Sequence, residues 1–315
     1  MSVEHPIVSV TGSSGAGTSF VKRAVEAIFK REGLNAAIIE GDSFHKYSRM
    51  EMRAKVAESK ANGGPVLTHF SEYANEFQKL EALFAEYKKS ATGKRRYYIH
   101  SDEEAAEHNA RLGTNLSTGE FTPWEDLPAD TDILFYEGLH GMVKRMDHGP
   151  EEGKYNVAQH VDLGIGVAPV VNIEWMQKIY RDTSERPYTV QQVRDTIMER
   201  MDDYIEYILP QFHRTHINFQ RIPLVDTSDP FSTQTEIAPM GPSPENSLVI
   251  THVRHKDIED LSLIVDKIEG AWLQNETTMI CSGTKMVEAM DLIMTPIIQN
   301  LITKKRAAMA RLAAK

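Results

Sequence analysis

Gly12-Ser13-Ser14-Gly15-Ala16-Gly17-Thr18-Ser19 has the spacing of a loop built to hold phosphates. Glycines let the backbone curl until successive N–H groups point inward at phosphate oxygens. A helix starting just after the loop adds the positive end of its dipole. A hydroxyl at Ser19 is placed to ligate the Mg²⁺ that bridges nucleotide phosphates. The lysine that usually precedes that hydroxyl is replaced by Thr18, so the missing cation must come from elsewhere in the chain. Alone, the segment would also serve as a glycine-rich turn; an apolar run before it and a helical pattern after it favour nucleotide binding.

Two carboxylates follow apolar runs. Asp42 stands just past Ala36-Ala37-Ile38-Ile39-Glu40, in a stretch that also holds His45 and Arg49. A carboxylate at the carboxyl end of a strand can take the proton of an attacking hydroxyl. It could equally cap the next helix. Glu137 ends Ile133-Leu134-Phe135-Tyr136, an apolar strand closed by an acid, which suits a Mg²⁺ partner or a structural ion pair. Lys178, Arg181 and Asp182 fall at i, i+3 and i+4, so a helix there shows them on one face. Such a face is commonly a solvated set of salt bridges. It also suits a lid that closes cations over a transferring phosphoryl group, which a loop without its lysine requires.

The elements that must position these groups read as alternating strands and helices. Strands are expected over 6–10, 36–40, 133–136, 161–173, 222–225 and 248–253. Helices are expected over 21–31, 77–88, 190–209, 258–273 and 287–311, with another from 172 to a turn before Pro187. Strand, glycine loop, helix and strand at the start make a βαβ unit, and the whole pattern predicts one α/β domain over 1–315 with helices on both faces of a mostly parallel sheet. Within it, 1–231 carries the catalytic motifs and 232–315 completes the same domain. Residues 90–128 and 230–244 are weakly patterned and read as long loops.

The chain has 315 residues, 41% of them apolar, enough for a sizeable core. Its formal charge of −10 excludes a general nucleic-acid binder. A single cysteine, Cys281, forbids an internal disulfide and a cysteine-based zinc site. With no signal peptide and no long apolar run, the expected location is the cytoplasm, away from membranes.

Taken together, these segments resemble the phosphoribulokinase family in its bacterial form. The resemblance rests on residues 10–19, where bacterial members also carry Thr for the loop lysine. It rests too on Glu40-Gly41-Asp42-Ser43-Phe44-His45, on Phe135-Tyr136-Glu137-Gly138-Leu139-His140-Gly141, and on residues 172–182 and 218–228. It runs in order from about residue 6 to 231 and more loosely to the end. It implies a P-loop, adenylate-kinase-like fold, and transfer of a phosphoryl group from MgATP to the C1 hydroxyl of D-ribulose 5-phosphate, a step of carbon fixation in the Calvin cycle. By position, Asp42 is implied as the base, Ser19 and Glu137 as Mg²⁺ partners, and Asp182 as a second essential carboxylate near the metal. His45, Arg49 and Arg186 are implied as sugar-phosphate contacts, with His100 beside them, and Lys178 and Arg181 as cations on the phosphoryl groups. A homo-oligomer is also implied. NADH enters as the allosteric activator of bacterial members, but the arginine linked with it is absent from Asp229-Pro230-Phe231-Ser232-Thr233-Gln234-Thr235-Glu236, leaving Arg31 and Arg254 as candidates. A thiol switch of the plant type is excluded by the single cysteine. A related uridine- or glycerate-type kinase shares these loops, and the phosphate-binding set His45, Arg49 and Arg186 separates it from the first reading. A nucleotide sensor without catalysis would not need Asp42, Glu137 and Asp182 together.

Overall fold

The structure is a computed structural model, and it describes residues 3–13, 15–64, 66–145, 154–225, 244–255, 258 and 260–314. In chain order the strands are β1 (Ile7–Thr11), β2 (Ala36–Glu40), β3 (Lys94–Arg95), β4 (Glu125–Asp126), β5 (Ile133–Gly138), β6 (Lys144–Arg145), β7 (Tyr155–Asn156), β8 (Leu163–Val167), β9 (Ile217–Pro223), β10 (Ser247–Val253), β11 (Trp272–Asn275) and β12 (Thr278–Ser282). The helices are α1 (Thr18–Arg31), α2 (Arg49–Ala61), α3 (Phe77–Ser90), α4 (Asp102–Leu112), α5 (Val171–Ser184), α6 (Val190–Glu199), α7 (Met201–Asp203), α8 (Ser262–Val265) and α9 (Met286–Ala313).

Eight strands form one sheet in the order β11-β12-β10-β9-β8-β1-β5-β2. The five from β9 to β2 run parallel, and β10, β12 and β11 extend the sheet antiparallel. Alternation along the central strands divides the core. Val8, Val10, Ile133 and Phe135 pack on one face with α1 and α9, and Ile7, Ala37, Ile39, Leu134 and Tyr136 on the other with α3. The C-terminal helix α9 buries Ile293, Met294, Ile297 and Ile298 in the core that holds the α1 residues Val21, Val25 and Ile28.

The expected α/β architecture is present, with departures that have local causes. β1 and β2 are not neighbours, because β5 lies between them. The strand expected over 161–173 is β8 alone, since Pro169 ends the run and α5 begins at Val171. Instead of 222–225, the next strand is β9, which ends at Pro223. The helix expected over 190–209 stops at Glu199 and passes through α7 into a π-helical turn, Tyr204–Ile208. Over 258–273 the described residues form only the single helical turn of α8; Gly270 at φ 73° turns the chain into β11, which pairs with β12. Residues 90–128 are not a bare loop. They contain α4, capped by the Ser101 side chain, and the small ladder of β3 and β4. α2, which the pattern did not suggest, starts from a capping box in which Ser48 and Glu51 bond each other's backbone N–H. Residues 230–243 lie outside the described segments.

Candidate active site

The phosphate loop joins β1 to α1 at the carboxyl edge of the sheet. Gly15 adopts φ 108°, and a Cβ there would stand 2.9 Å from the Glu174 carbonyl oxygen and 3.1 Å from the Lys178 Cβ. The loop therefore needs glycine twice over at this position, for its turn and for the close approach of α5. That approach brings Lys178 beside the loop from which a lysine is missing. Helix α1 has no acidic residue in its first turn and no side-chain cap, which leaves its first N–H groups unblocked by side chains. Thr18 bonds the carboxylate of Glu137. Gly12, Ser13, Gly15, Ala16, Gly17, Thr18 and Ser19 thus form one turn at the helix start, and Ser14 lies outside the described residues.

Strand register builds an acidic row beside that turn. Val10 pairs with Glu137 across β1 and β5, and Glu137 pairs with Glu40 across β5 and β2. Burial pushes the Glu137 carboxyl above the usual range, and the Thr18 hydroxyl and the Lys22 ammonium offset it only in part. Lys22 itself pairs with Glu40 at 2.8 Å. Two residues past β2, Asp42 sits in a tight 3₁₀ turn, Gly41–Phe44, whose first glycine lies against Tyr136 and Gly138 with no room for a side chain.

Asp42 is ringed by histidines. His45 Nε2 lies 3.3 Å from one carboxylate oxygen and His100 Nε2 3.8 Å from the other. Enclosure would raise the Asp42 pKa, but the His45 hydrogen bond and the electrostatic interaction with His45 and His100 hold it well below the usual carboxylate value. The His69 ring stacks on His45 at 4.1 Å. Tyr98 is the hub of the group: His100 lies 5.0 Å from its ring, His45 6.3 Å, and the Arg49 guanidinium 6.0 Å. Arg96 clamps the turn from behind, donating to the Ser43 carbonyl at 2.8 Å and the His45 carbonyl at 2.6 Å while stacking on Phe121 and Trp124.

The second charged group is carried by α5 and the turn after it. Asp182 receives Lys178 at 2.5 Å on one oxygen, and Arg181 at 2.9 Å and Arg186 at 3.4 Å on the other. Burial, aided by the charge of Arg200 and opposed by Asp182, lowers Lys178 to about 8. Arg200 lies over the Phe70 ring, close enough to Lys178, Asp182 and His69 to act on all three. One turn before Lys178, Glu174 is buried between the loop and Tyr204; burial raises it to about 7, and Ser13, Tyr204 and Lys178 pull it partly back.

The nominated residues therefore gather in two sets rather than one. Asp42, His45, His100 and Arg49 line one side; Lys178, Arg181, Asp182 and Arg186 line the other, with the loop and Glu137 between α5 and the Asp42 turn. Arg186 sits with Asp182, not with His45 and Arg49. Sequence reasoning missed Tyr98, Arg96, Asn75 and Arg200, which act on other residues and carry no motif. Arg31 and Arg254 lie away from both sets: Arg31 bonds Asp291 and Thr295 of α9, and Arg254 bonds the Phe212 and His213 carbonyls. Cys281 is buried in β12, its thiol pushed up to about 11 by burial.

A divalent cation fits this edge. No group of three or more His, Cys, Asp or Glu among the described residues could hold a metal unaided. Mg²⁺ does not require one, since it takes hard oxygens from one or two side chains and the rest from water and substrate phosphates. The half-buried carboxylate of Glu137, its pKa raised by desolvation, and the hydroxyl of the exposed Ser19 are such donors. Both Asp182 oxygens are taken by cations. No helix among the described residues is long and apolar enough to cross a membrane.

Residues 7–228 match the model of the phosphoribulokinase / uridine kinase family. The chromosomal phosphoribulokinase of Cupriavidus necator is 46% identical over 308 residues, covering 98% of this chain and 99% of its own. That of Nitrobacter vulgaris is 46% identical over 305 residues, covering 97% and 99%. A solved phosphoribulokinase from Rhodobacter spheroides superposes with a TM-score of 0.81 at 40% identity, covering 97% of this chain and all of that one. The chain belongs to the phosphoribulokinase / uridine kinase family.

Proposed function

We propose that this chain transfers the terminal phosphoryl group of ATP to the C1 hydroxyl of D-ribulose 5-phosphate, giving D-ribulose 1,5-bisphosphate and ADP. The observation that carries the reading is the pairing of two cation sets across one carboxylate. An acceptor that already bears a phosphate needs cations of its own, apart from those that serve the nucleotide. Arg49, with the rings of His45 and His100 close by, serves it on the Asp42 side, and Lys178, Arg181 and the loop serve the other.

The loop N–H groups and the start of α1 bind the nucleotide phosphates. Lys178, delivered by α5, stands in for the absent loop lysine, and Arg181 neutralises charge on the transferring group. Arg186, now on Asp182, turns to the sugar phosphate when it arrives. Ser19, Glu137 and Asp182 would hold Mg²⁺, and the ion would neutralise charge on the nucleotide phosphates. Asp42 orients the C1 hydroxyl and takes its proton as the oxygen–phosphorus bond forms and the bond to ADP breaks. A carboxylate held strongly ionised is a weak base, which suffices in a loose transition state where the hydroxyl becomes acidic late.

A coupled assay of ATP consumption with ribulose 5-phosphate, uridine and glycerate tests the reading. Turnover is expected with ribulose 5-phosphate. Turnover of uridine or glycerate alone would overturn it in favour of a related kinase of the same family.

A further inference from the structure

Asn75 is buried to 1% exposure, and every polar atom of its side chain is committed. Its Nδ2 donates to the His69 carbonyl at 2.9 Å and to the Ser71 carbonyl at 2.7 Å. Both amide hydrogens are spent on groups that only accept, so the amide orientation is fixed. Its oxygen, which only accepts, then faces His45 Nδ1 at 2.7 Å, and Nδ1 must carry a proton. The ring's other nitrogen, Nε2, faces Asp42 Oδ1 at 3.3 Å. An ionised carboxylate also only accepts, so that nitrogen must donate as well.

We propose that Asn75 is a positioning residue that holds His45 as a donor at both ring nitrogens, so that Asp42 and His45 form a carboxylate–imidazolium pair before any substrate enters. The backbone supports this arrangement. Lys46 N–H bonds the Ala74 carbonyl at 2.9 Å and Glu76 N–H bonds the Phe44 carbonyl at 2.8 Å, clamping the Asp42 turn to the Asn75 turn. Around the Asp42–His45 pair lie the stacked His69, the edge of Tyr98, the nearby His140, Arg96 on the His45 carbonyl, and His100 on the other oxygen of Asp42. Burial lowers His69 to about 2 and His140 to about 3, so both of those rings stay neutral. The consequence is a cation already in place for a phosphate ester, with no proton to be taken up on binding. This deepens the reading given above and rests on it for the substrate.

The test uses the full chain labelled with ¹⁵N-histidine and a long-range ¹H–¹⁵N correlation at pH 8, His45 being assigned by its loss in His45→Gln. Two protonated ring nitrogens are expected for His45 while surface histidines are neutral. A single ring proton on His45 would overturn the proposal, and this spectrum needs no variant at Asn75 to fold. In Asn75→Leu the Nδ1 proton should be lost, KM for ribulose 5-phosphate should rise at least about tenfold, and the acidic limb of the kcat profile should move up by about one pH unit. In the His45→Gln background the same substitution should change KM less than about twofold, because Asn75 acts through His45. An equal effect in both backgrounds would show a general structural role instead. Should the wild-type chain fail to turn over ribulose 5-phosphate while His45 shows two ring protons, the substrate reading falls and the assignment of Asn75 stands.

Discussion

Asp42 is the residue on which the proposed chemistry turns, and its neighbours make it ionised at any physiological pH. Asp42→Asn is expected to lower kcat by about 10³-fold, the scale of losing a positioned general base. ATP binding, measured by calorimetry, should persist; a loss of kcat under tenfold would remove the assignment. Glu174 gives a prediction about stability. Its folded pKa, about 7, lies above the ordinary 4.5, so the folded protein binds more protons than the unfolded chain between those values. Stability tied to this group is therefore complete below about pH 4.5 and is lost as pH rises through 7. Glu174→Gln should leave the Tm unchanged near pH 4.5 and raise stability at pH 8 by up to about 3 kcal/mol; an equal shift at both pH values would show that ionisation is not the cause. Residues such as Asp42, Glu137, Lys178 and Asp182 were legible in the sequence because each sits at a fixed offset from a strand end or on one helix face. Asn75, Arg96 and Tyr98 were not, because they act through hydrogen bonds and rings contributed by segments far from them in the chain.

The elements differ in how plainly they announced themselves. β1, α1, β2 and α9 follow from apolar periodicity, since they pack directly on the core. α2 buries only Met52, and α4 only Ala105, so neither shows a strong apolar stripe. They are set by their caps instead, and a cap is two residues that periodicity overlooks. The cap of α2 fixes the start of the helix whose first residue is Arg49. Ser48→Ala should destabilise the chain by about 1 kcal/mol in denaturant titration and raise KM for the sugar phosphate more than for ATP; a change confined to ATP would separate Arg49 from the acceptor. Arg96 works at the same scale, bonding the backbone of the Asp42 turn. Arg96→Ala should lower kcat by about tenfold or more without changing ATP affinity, since misplacing a catalytic group by an ångström is that costly. Full activity in that variant would show that the turn holds itself.

At the scale of the molecule, the motifs occupy the first 231 residues, yet the core that supports them is shared with the last 30. α9 lies against α1, whose first turn is the floor of the phosphate site. A chain ending at residue 285 keeps every catalytic motif and should nevertheless fail to unfold cooperatively in circular dichroism. A sharp transition with nucleotide binding would instead mark the first part as a domain of its own. The parallel order of the sheet was foreseeable from alternation, but the insertion of β5 between β1 and β2 was not, because no local pattern records which strand neighbours which. That insertion also bears on synthesis. β1 and β2 leave the ribosome early, while the strand that joins them begins only at Ile133. Until then the nascent chain carries two apolar strands with facing edges unpaired, a template for wrong partners. The phosphate loop, though nearly the first thing made, acquires its acidic neighbour Glu137 only when that gap is filled.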